Sequence, residues 1–265
     1  MEQESYTQSP APAPSPAVQN TIDLVQALSV LVITHPGKWK HEQFQPSPSS
    51  LRRIEWFEGT GTVIGMKRNR VFIISSIHCT PTSSYSFFVK GGITGQEQVP
   101  ATLSVNRFEE TNNGLDIALF SCSADCFDKD VLQRMTESLR WDYSAPLIRP
   151  SSMTRLSLIH FPTLPDEQDI TRRLHMSVFP EVTTGVLFSV DVEGECFDST
   201  ILATAGSSGG LIVSEDGCIL GSHDSQHDET PDGSVVSTHR MCGSVVEALS
   251  LMRRVNDFFP SSASK

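Results

Sequence analysis

Three residues stand in settings where serine chemistry would want them. Ser208 lies in "ATAGSSGGLIVSEDGCILGSHD", His78 closes the apolar run "VFIISSIHCT", and Asp116 opens another in "NNGLDIALFSC". A serine hydroxyl attacks a carbonyl only when a base within hydrogen-bond reach takes its proton and a third group orients that base. Taken one at a time, each residue has an ordinary explanation. Glycines 206, 209 and 210 suit a tight bend, an imidazole at a strand end is commonly just packed, and an Asp after Asn-Asn-Gly is commonly a turn residue. Their order along the chain, histidine then aspartate then serine at intervals of 38 and 92 residues, favours a shared site.

Such residues need rigid elements to hold them, and the chain supplies many short ones. "ALSVLVITH", "GTGTVIGMKRNRVFIISSIHC", "SYSFFVKG", "QVPATLSVNRF", "DIALFSC", "TRLSLIHFP", "TTGVLFSVDV", "GLIVSEDGCILGSH" and "GSVVSTHRM" are apolar, β-branched runs separated by turn residues. That rhythm predicts an all-β barrel or sandwich. Two segments carry helical spacing instead. "DKDVLQRMTESLRW" reads as a linking helix, and "GSVVEALSLMRRVNDFF" as a closing one behind a Gly-Ser cap. "SQHDETPDG", after His223, reads as a surface loop.

Composition bounds the function. A chain of 265 residues can bury a full core, and a formal net charge of −11 argues against nucleic acid or an anionic membrane as the main partner. No apolar run reaches the length of a membrane span. The start, "MEQESYTQSPAPAPSPAVQN", lacks the basic-then-apolar order of a secretory signal and has the Pro, Ala, Ser and Gln content of a disordered tail. The six cysteines are therefore expected as reduced thiols in the cytosol or nucleus. Cys122 and Cys126 are spaced like half a zinc site, but no second ligand pair follows, so neither metal nor cofactor is expected.

The three stretches together resemble the signature segments of trypsin/chymotrypsin-fold serine proteases. "GTGTVI…VFIISSIHC" is similar to that family's G-S-G-F-V-I…V-L-T-A-A-H-C, "DIALF" to D-I-A-L-L, and "GSSGG" to G-D/N-S-G-G, over roughly residues 22 to 255. The resemblance implies two six-stranded antiparallel β-barrels with a C-terminal helix and a site in the cleft between them. On that basis residues 1–21 would be a tail and 22–127 a first barrel with His78 and Asp116. Residues 128–142 would be a linker, 143–258 a second barrel with Ser208, and 259–265 a tail. It also implies an endopeptidase acting on protein or peptide substrates. Ser208 would be the nucleophile, His78 a base titrating near neutrality, Asp116 its orienter, and the N–H groups of Gly206 and Ser208 the oxyanion hole. A pseudoprotease that serves as an interaction module is the alternative.

Departures from the secreted members narrow the branch. Those enzymes are activated when a new N-terminal ammonium pairs with an Asp just before the nucleophile. Here that position is Ser207, so no such switch is expected, and the strand opposite Cys79 offers no cysteine for a disulfide. The run from Gly206 through "SEDGCILGS" is similar to the HtrA/Deg branch. It is more similar still to the picornavirus- and potyvirus-type polyprotein proteases, which place a histidine where His223 stands. In that branch the histidine lines the primary pocket and donates to a Gln or Glu side chain. The pocket threonine of those relatives is Ala203 here, with Thr204 one place later, which makes His223 and Thr204 the candidate pocket residues. His35, His41, His160, His175, His227 and His239 are expected to be ordinary surface or core residues.

Overall fold

The computed structural model describes residues 14–36, 57–67, 69–79, 85–91, 116, 118–127, 129–138, 153–163, 179–191, 196–227 and 236–241. The order of elements is α1 (Pro16–Leu28), β1 (Ser29–Pro36), β2 (Phe57–Lys67), β3 (Arg70–Ser75), β4 (Tyr85–Gly91), β5 (Ala118–Ser123) and α2 (Lys129–Ser138). There follow β6 (Arg155–His160), β7 (Glu181–Asp191), β8 (Cys196–Ser199), β9 (Leu211–Ser214), β10 (Ile219–His227) and β11 (Val236–Met241).

The expectation of two closed six-stranded barrels holds for one half of the described chain. Strands β6 to β11 close in the order β10-β11-β8-β7-β6-β9, whereas β1 to β5 form a five-stranded sheet in the order β4-β1-β2-β3-β5. "QVPATLSVNRF" and the closing helix lie outside the described residues. Every described strand pairing is antiparallel.

Burial explains why the short runs become strands. Val30, Leu31, Val32 and Ile33 of β1 are all buried, so this strand is covered on both faces and reads as a continuous apolar run. The first half packs Val30, Val32, Val63, Val71 and Ile73 against Val131 and Met135 of α2. Helix α2 thus lies where the linking helix was expected, within residues 128–142. The closed barrel is filled by Leu156, Leu158, Leu187, Phe197, Ile201, Ile212 and Leu220.

The expected tail of residues 1–21 is corrected from Pro16 onward, where α1 begins. The Ser15 side chain accepts the Val18 N–H, and Pro16 occupies the first turn, where its missing N–H costs nothing. Val18, Ile22 and Val25 recur at helical spacing and pack on Ile159, Leu211 and Val213 of the barrel, while Leu28 belongs to the core of the first half. One helix therefore ties the two halves together before β1 starts. The expected loop "SQHDETPDG" is corrected at its first three residues, since β10 continues through Ser225 to His227, paired with β11; residues 228–233 lie outside the described residues.

Candidate functional site

Register brings His78 to Asp116. Strand β3 pairs with β5 so that Ser75 faces Ala118, and both chains continue past that point. The Ile77 N–H donates to the Asp116 carbonyl at 3.3 Å, and a 3-10 turn over Ile77–Cys79 turns His78 toward the aspartate. The Asp116 carboxylate then takes two bonds from one residue. Its Oδ1 accepts the His78 backbone N–H at 3.0 Å, and its Oδ2 is hydrogen-bonded to His78 Nδ1. Side-chain exposure is 48% for His78 and 19% for Asp116, so the imidazole reaches solvent while the carboxylate is shielded. The pair holds His78 well above the ordinary imidazole range, at about 10. The hydrogen bond from Asp116 is the main cause, with a hydrogen bond to Cys79 next, against an opposing desolvation.

Ser208 sits on the second half, at the end of a 3-10 turn formed by Ala205–Ser207. The turn is clamped to β2, since the Thr60 N–H donates to the Ser208 carbonyl at 2.8 Å and the Thr60 hydroxyl donates to the Gly206 carbonyl at 2.8 Å. Gly209 has φ +85°, and a Cβ there would stand 2.3 Å from the Thr60 carbonyl oxygen and 2.8 Å from Ser75 Oγ. No other residue fits that position. The turn that carries Ser208 thus rests on the end of β3, three residues before His78.

Cys79 is a free, buried thiol that contacts the backbone of β2. A Cβ at Gly59 would lie 2.5 Å from its sulfur. The structure therefore places a glycine opposite Cys79, in keeping with the missing disulfide partner.

His223 is buried in the wall of the closed barrel at 2% exposure, opposite His239 of β11. Its carbonyl accepts the Gly209 N–H at 2.9 Å and its N–H donates to the Gly210 carbonyl at 2.8 Å, which ties it to the serine turn. His223 Nδ1 lies 3.3 Å from Nδ1 of His239, whose Nε2 is 2.6 Å from Ser199 Oγ. Burial, with the charges of His160 and His78, pushes His223 down to about 3. Burial and His223 likewise hold His239 well below the usual imidazole value. Both rings are neutral around pH 7.

Thr204, the second candidate pocket residue, caps the 3-10 turn. Its backbone N–H donates to Ser207 Oγ at 2.9 Å, its carbonyl accepts the Ser207 N–H at 2.9 Å, and its hydroxyl accepts the Thr163 N–H at 3.4 Å.

Three groups escaped the sequence reading. His160 and His239, expected to be ordinary surface or core residues, are buried, and the contacts they make were not foreseen: His160 bonds Ser207, and His239 bonds both Ser199 and His223. The third is Asp224. A bulge in β10 between His223 and Ser225 leaves this residue outside the regular pairing with β11. One ligand-type atom each of Asp224, His78 and Asp116 lies within 4.8 Å of the others. Bulges re-aim side chains in this way beside functional sites. Alternation along β10 gives no sign of it, because a bulge breaks the alternation on which such a reading depends.

An imidazole held at Nδ1 by a carboxylate can exchange a proton at Nε2, and a serine on a clamped turn can present its hydroxyl to a substrate. Among the described residues no helix is long and apolar enough to cross a membrane.

No family model and no curated protein sequence matches the chain. Solved structures do. The Rv3671c protease from M. tuberculosis in its active form superposes with a TM-score of 0.51 at 16% identity, covering 94% of this chain and 93% of that one. The inactive form of the same protease gives a TM-score of 0.50 at 14% identity, covering 90% of this chain and 96% of that one. The chain has the fold of a chymotrypsin-like protease.

Proposed function

We propose that the chain is a serine endopeptidase in which Ser208, His78 and Asp116 form a catalytic triad. The observation that carries this reading is the pair of hydrogen bonds that Asp116 makes to His78, through the backbone N–H and through Nδ1. That arrangement fixes the imidazole tautomer and leaves Nε2 for the serine. His78 would take the Ser208 proton as Oγ attacks the carbonyl carbon of the scissile peptide. The N–H groups of Gly206 and Ser208 would receive the oxyanion. His78 would then protonate the leaving amine, and water would release the acyl group by the same steps in reverse roles.

His223 would line the primary pocket. Ser199 Oγ already accepts the Ile201 N–H at 3.2 Å, so its own proton is available for His239 Nε2 at 2.6 Å. In that sense His239 Nδ1–H would donate to His223 Nδ1, and the Nε2–H of His223 would be left as a neutral donor for the substrate. A donor of this kind suits the side-chain carbonyl of Gln or the carboxylate of Glu. Thr204 would stand at the rim of the same pocket. Among the described residues, the unbridged thiols of Cys79 and Cys218 fit a reducing cytoplasmic or nuclear setting.

Labelling by a fluorophosphonate probe tests the reading, since only an activated serine reacts. The wild type should be labelled at Ser208, and Ser208→Ala should not. An unlabelled wild type would return the chain to the alternative of a protease fold used for binding.

A further inference from the structure

Ser207 fills the position that holds an aspartate in enzymes activated by N-terminal cleavage, and the structure gives it a partner within the barrel. Ser207 is fully buried and His160 is buried at 1% exposure, with Ser207 Oγ 2.8 Å from His160 Nδ1. Ser207 Oγ also accepts the Thr204 N–H at 2.9 Å, and Nε2 of His160 lies 3.3 Å from the Thr183 hydroxyl. A neutral imidazole has one donor and one acceptor nitrogen. With the Ser207 hydroxyl donating to Nδ1 and Nε2–H donating to Thr183, every one of these groups is satisfied. Burial keeps His160 neutral, lowered to about 4 against a smaller opposing bond from the Phe161 backbone.

The position of Ser207 gives this bond a consequence. Ser207 is the residue between Gly206 and Ser208, whose two N–H groups would bind the oxyanion. The Gly206 carbonyl is held from the other side by the Thr60 hydroxyl, which itself accepts the Phe161 N–H at 2.9 Å. A Cβ on Gly206 would stand 2.3 Å from the Phe161 carbonyl oxygen, so the loop is pressed onto the residue after His160. Neighbouring residues thus bear on adjacent positions of the loop, His160 through the Ser207 hydroxyl and Phe161 through the Thr60 hydroxyl that holds the Gly206 carbonyl.

We infer that His160 is a positioning residue that holds the oxyanion loop in its working shape by accepting the Ser207 hydroxyl, so that no new N-terminus is needed to order it. The inference rests on the hydrolase reading above. It separates His160 from residues that merely fill the core, because a loop-positioning group acts on the transition state more than on ground-state binding.

The test is kinetic, on the full chain. His160→Leu removes the acceptor at similar volume and should lower kcat by about a hundredfold with KM changed less than about twofold. Affinity for a peptide boronic acid should fall by the same factor as kcat. His160→Asn, which keeps an acceptor near the Nδ1 position, should recover most of the loss. In the wild type, the ring nitrogen shifts of His160 should show an unprotonated Nδ1 and a protonated Nε2, a readout that needs no mutant to fold. An active wild type whose His160→Leu variant keeps its kcat, a His160→Asn variant no better than Leu, or a protonated Nδ1 would each overturn this inference alone. A wild type that neither labels nor hydrolyses peptides would overturn the hydrolase reading and this inference with it.

Discussion

The Nδ1 atoms of His223 and His239 lie 3.3 Å apart inside the barrel wall. Two nitrogens that close must share one proton if the contact is a hydrogen bond, so one ring donates and the other accepts. Ser199 Oγ lies 2.6 Å from the far nitrogen of His239, so the sense of that contact and the sense of the His223–His239 contact are linked through one ring. The tautomer of His223 is thereby coupled to a hydroxyl two residues away in the hydrogen-bonded chain.

The first prediction concerns the primary pocket. Profiled on a peptide library, the wild type should cleave after Gln or Glu, and His223→Ala should lose that preference by up to about ten-thousandfold, since a site built around a buried donor rejects side chains without an acceptor. Because burial depresses His223 to about 3, the Glu-to-Gln ratio should stay flat as pH falls from 8 to about 5. An imidazole at its ordinary value would charge in that window and raise Glu. His239→Phe should mix the His223 tautomers and lower the rate for Gln without changing that for a substrate with an apolar residue there. A wild type that prefers basic residues would remove His223 from the pocket.

The second prediction is the cost of losing each triad member. Ser208→Ala or His78→Ala should lower kcat by on the order of a millionfold, and Asp116→Asn by about ten-thousandfold. The double variant His78→Ala with Ser208→Ala should be hardly worse than either single one, because the pair acts as a unit. Steady-state rates on one optimised peptide decide this, and near-wild-type turnover in Ser208→Ala would sink the mechanism.

The third prediction is the pH profile. Catalysis needs the neutral form of His78, and Asp116 stabilises the charged form, lifting it to about 10. The rate constant kcat/KM should therefore climb with pH on the alkaline side of the ordinary imidazole value, rather than level off near neutrality. Asp116→Asn should return the midpoint of its residual activity toward about 6.5. Asp224→Asn, which removes a nearby carboxylate, should move it the same way by less. A plateau already reached at about pH 6 in the wild type would show that the pair does not hold His78 as described.

The segments of the proposed triad stand out in the sequence because each packs a chemical requirement into a few consecutive residues. A glycine at φ +85° beside Ser208 and an aspartate opening a strand both leave a mark in the local sequence. Partners far apart in the chain leave none. His160 meets Ser207 across 47 residues and His239 meets Ser199 across 40, and nothing local to "LSLIHF" or "VSTHRM" announces either bond. A burial clue existed, since both histidines interrupt otherwise apolar or β-branched strands, but it does not say with what they pair. Helix α1 was hidden differently. Its Val18, Ile22 and Val25 spacing is plain, yet it follows a Pro- and Ser-rich stretch whose composition reads as tail.

That helix carries the last prediction. If activation needed a cut near the N-terminus, trimming should raise activity, and the residue to receive the new ammonium should be acidic. Ser207 is instead bonded to His160, and α1 lays Val18, Ile22 and Val25 on Ile159, Leu211 and Val213, the strands that flank the serine turn. The full chain should be active as synthesised. Removing residues 1–13 should leave kcat/KM unchanged, because those residues precede the Ser15 cap. Removing residues 1–28 should abolish activity by exposing the apolar face of the barrel. A single Val25→Ala substitution, at a side chain with no exposed surface, should cost about 1–3 kcal/mol of stability in a denaturant titration. Ser15→Ala should cost on the order of 1 kcal/mol through the lost cap. Activity that appears only after proteolysis within residues 14–28 would contradict this role for α1 and restore a maturation cut.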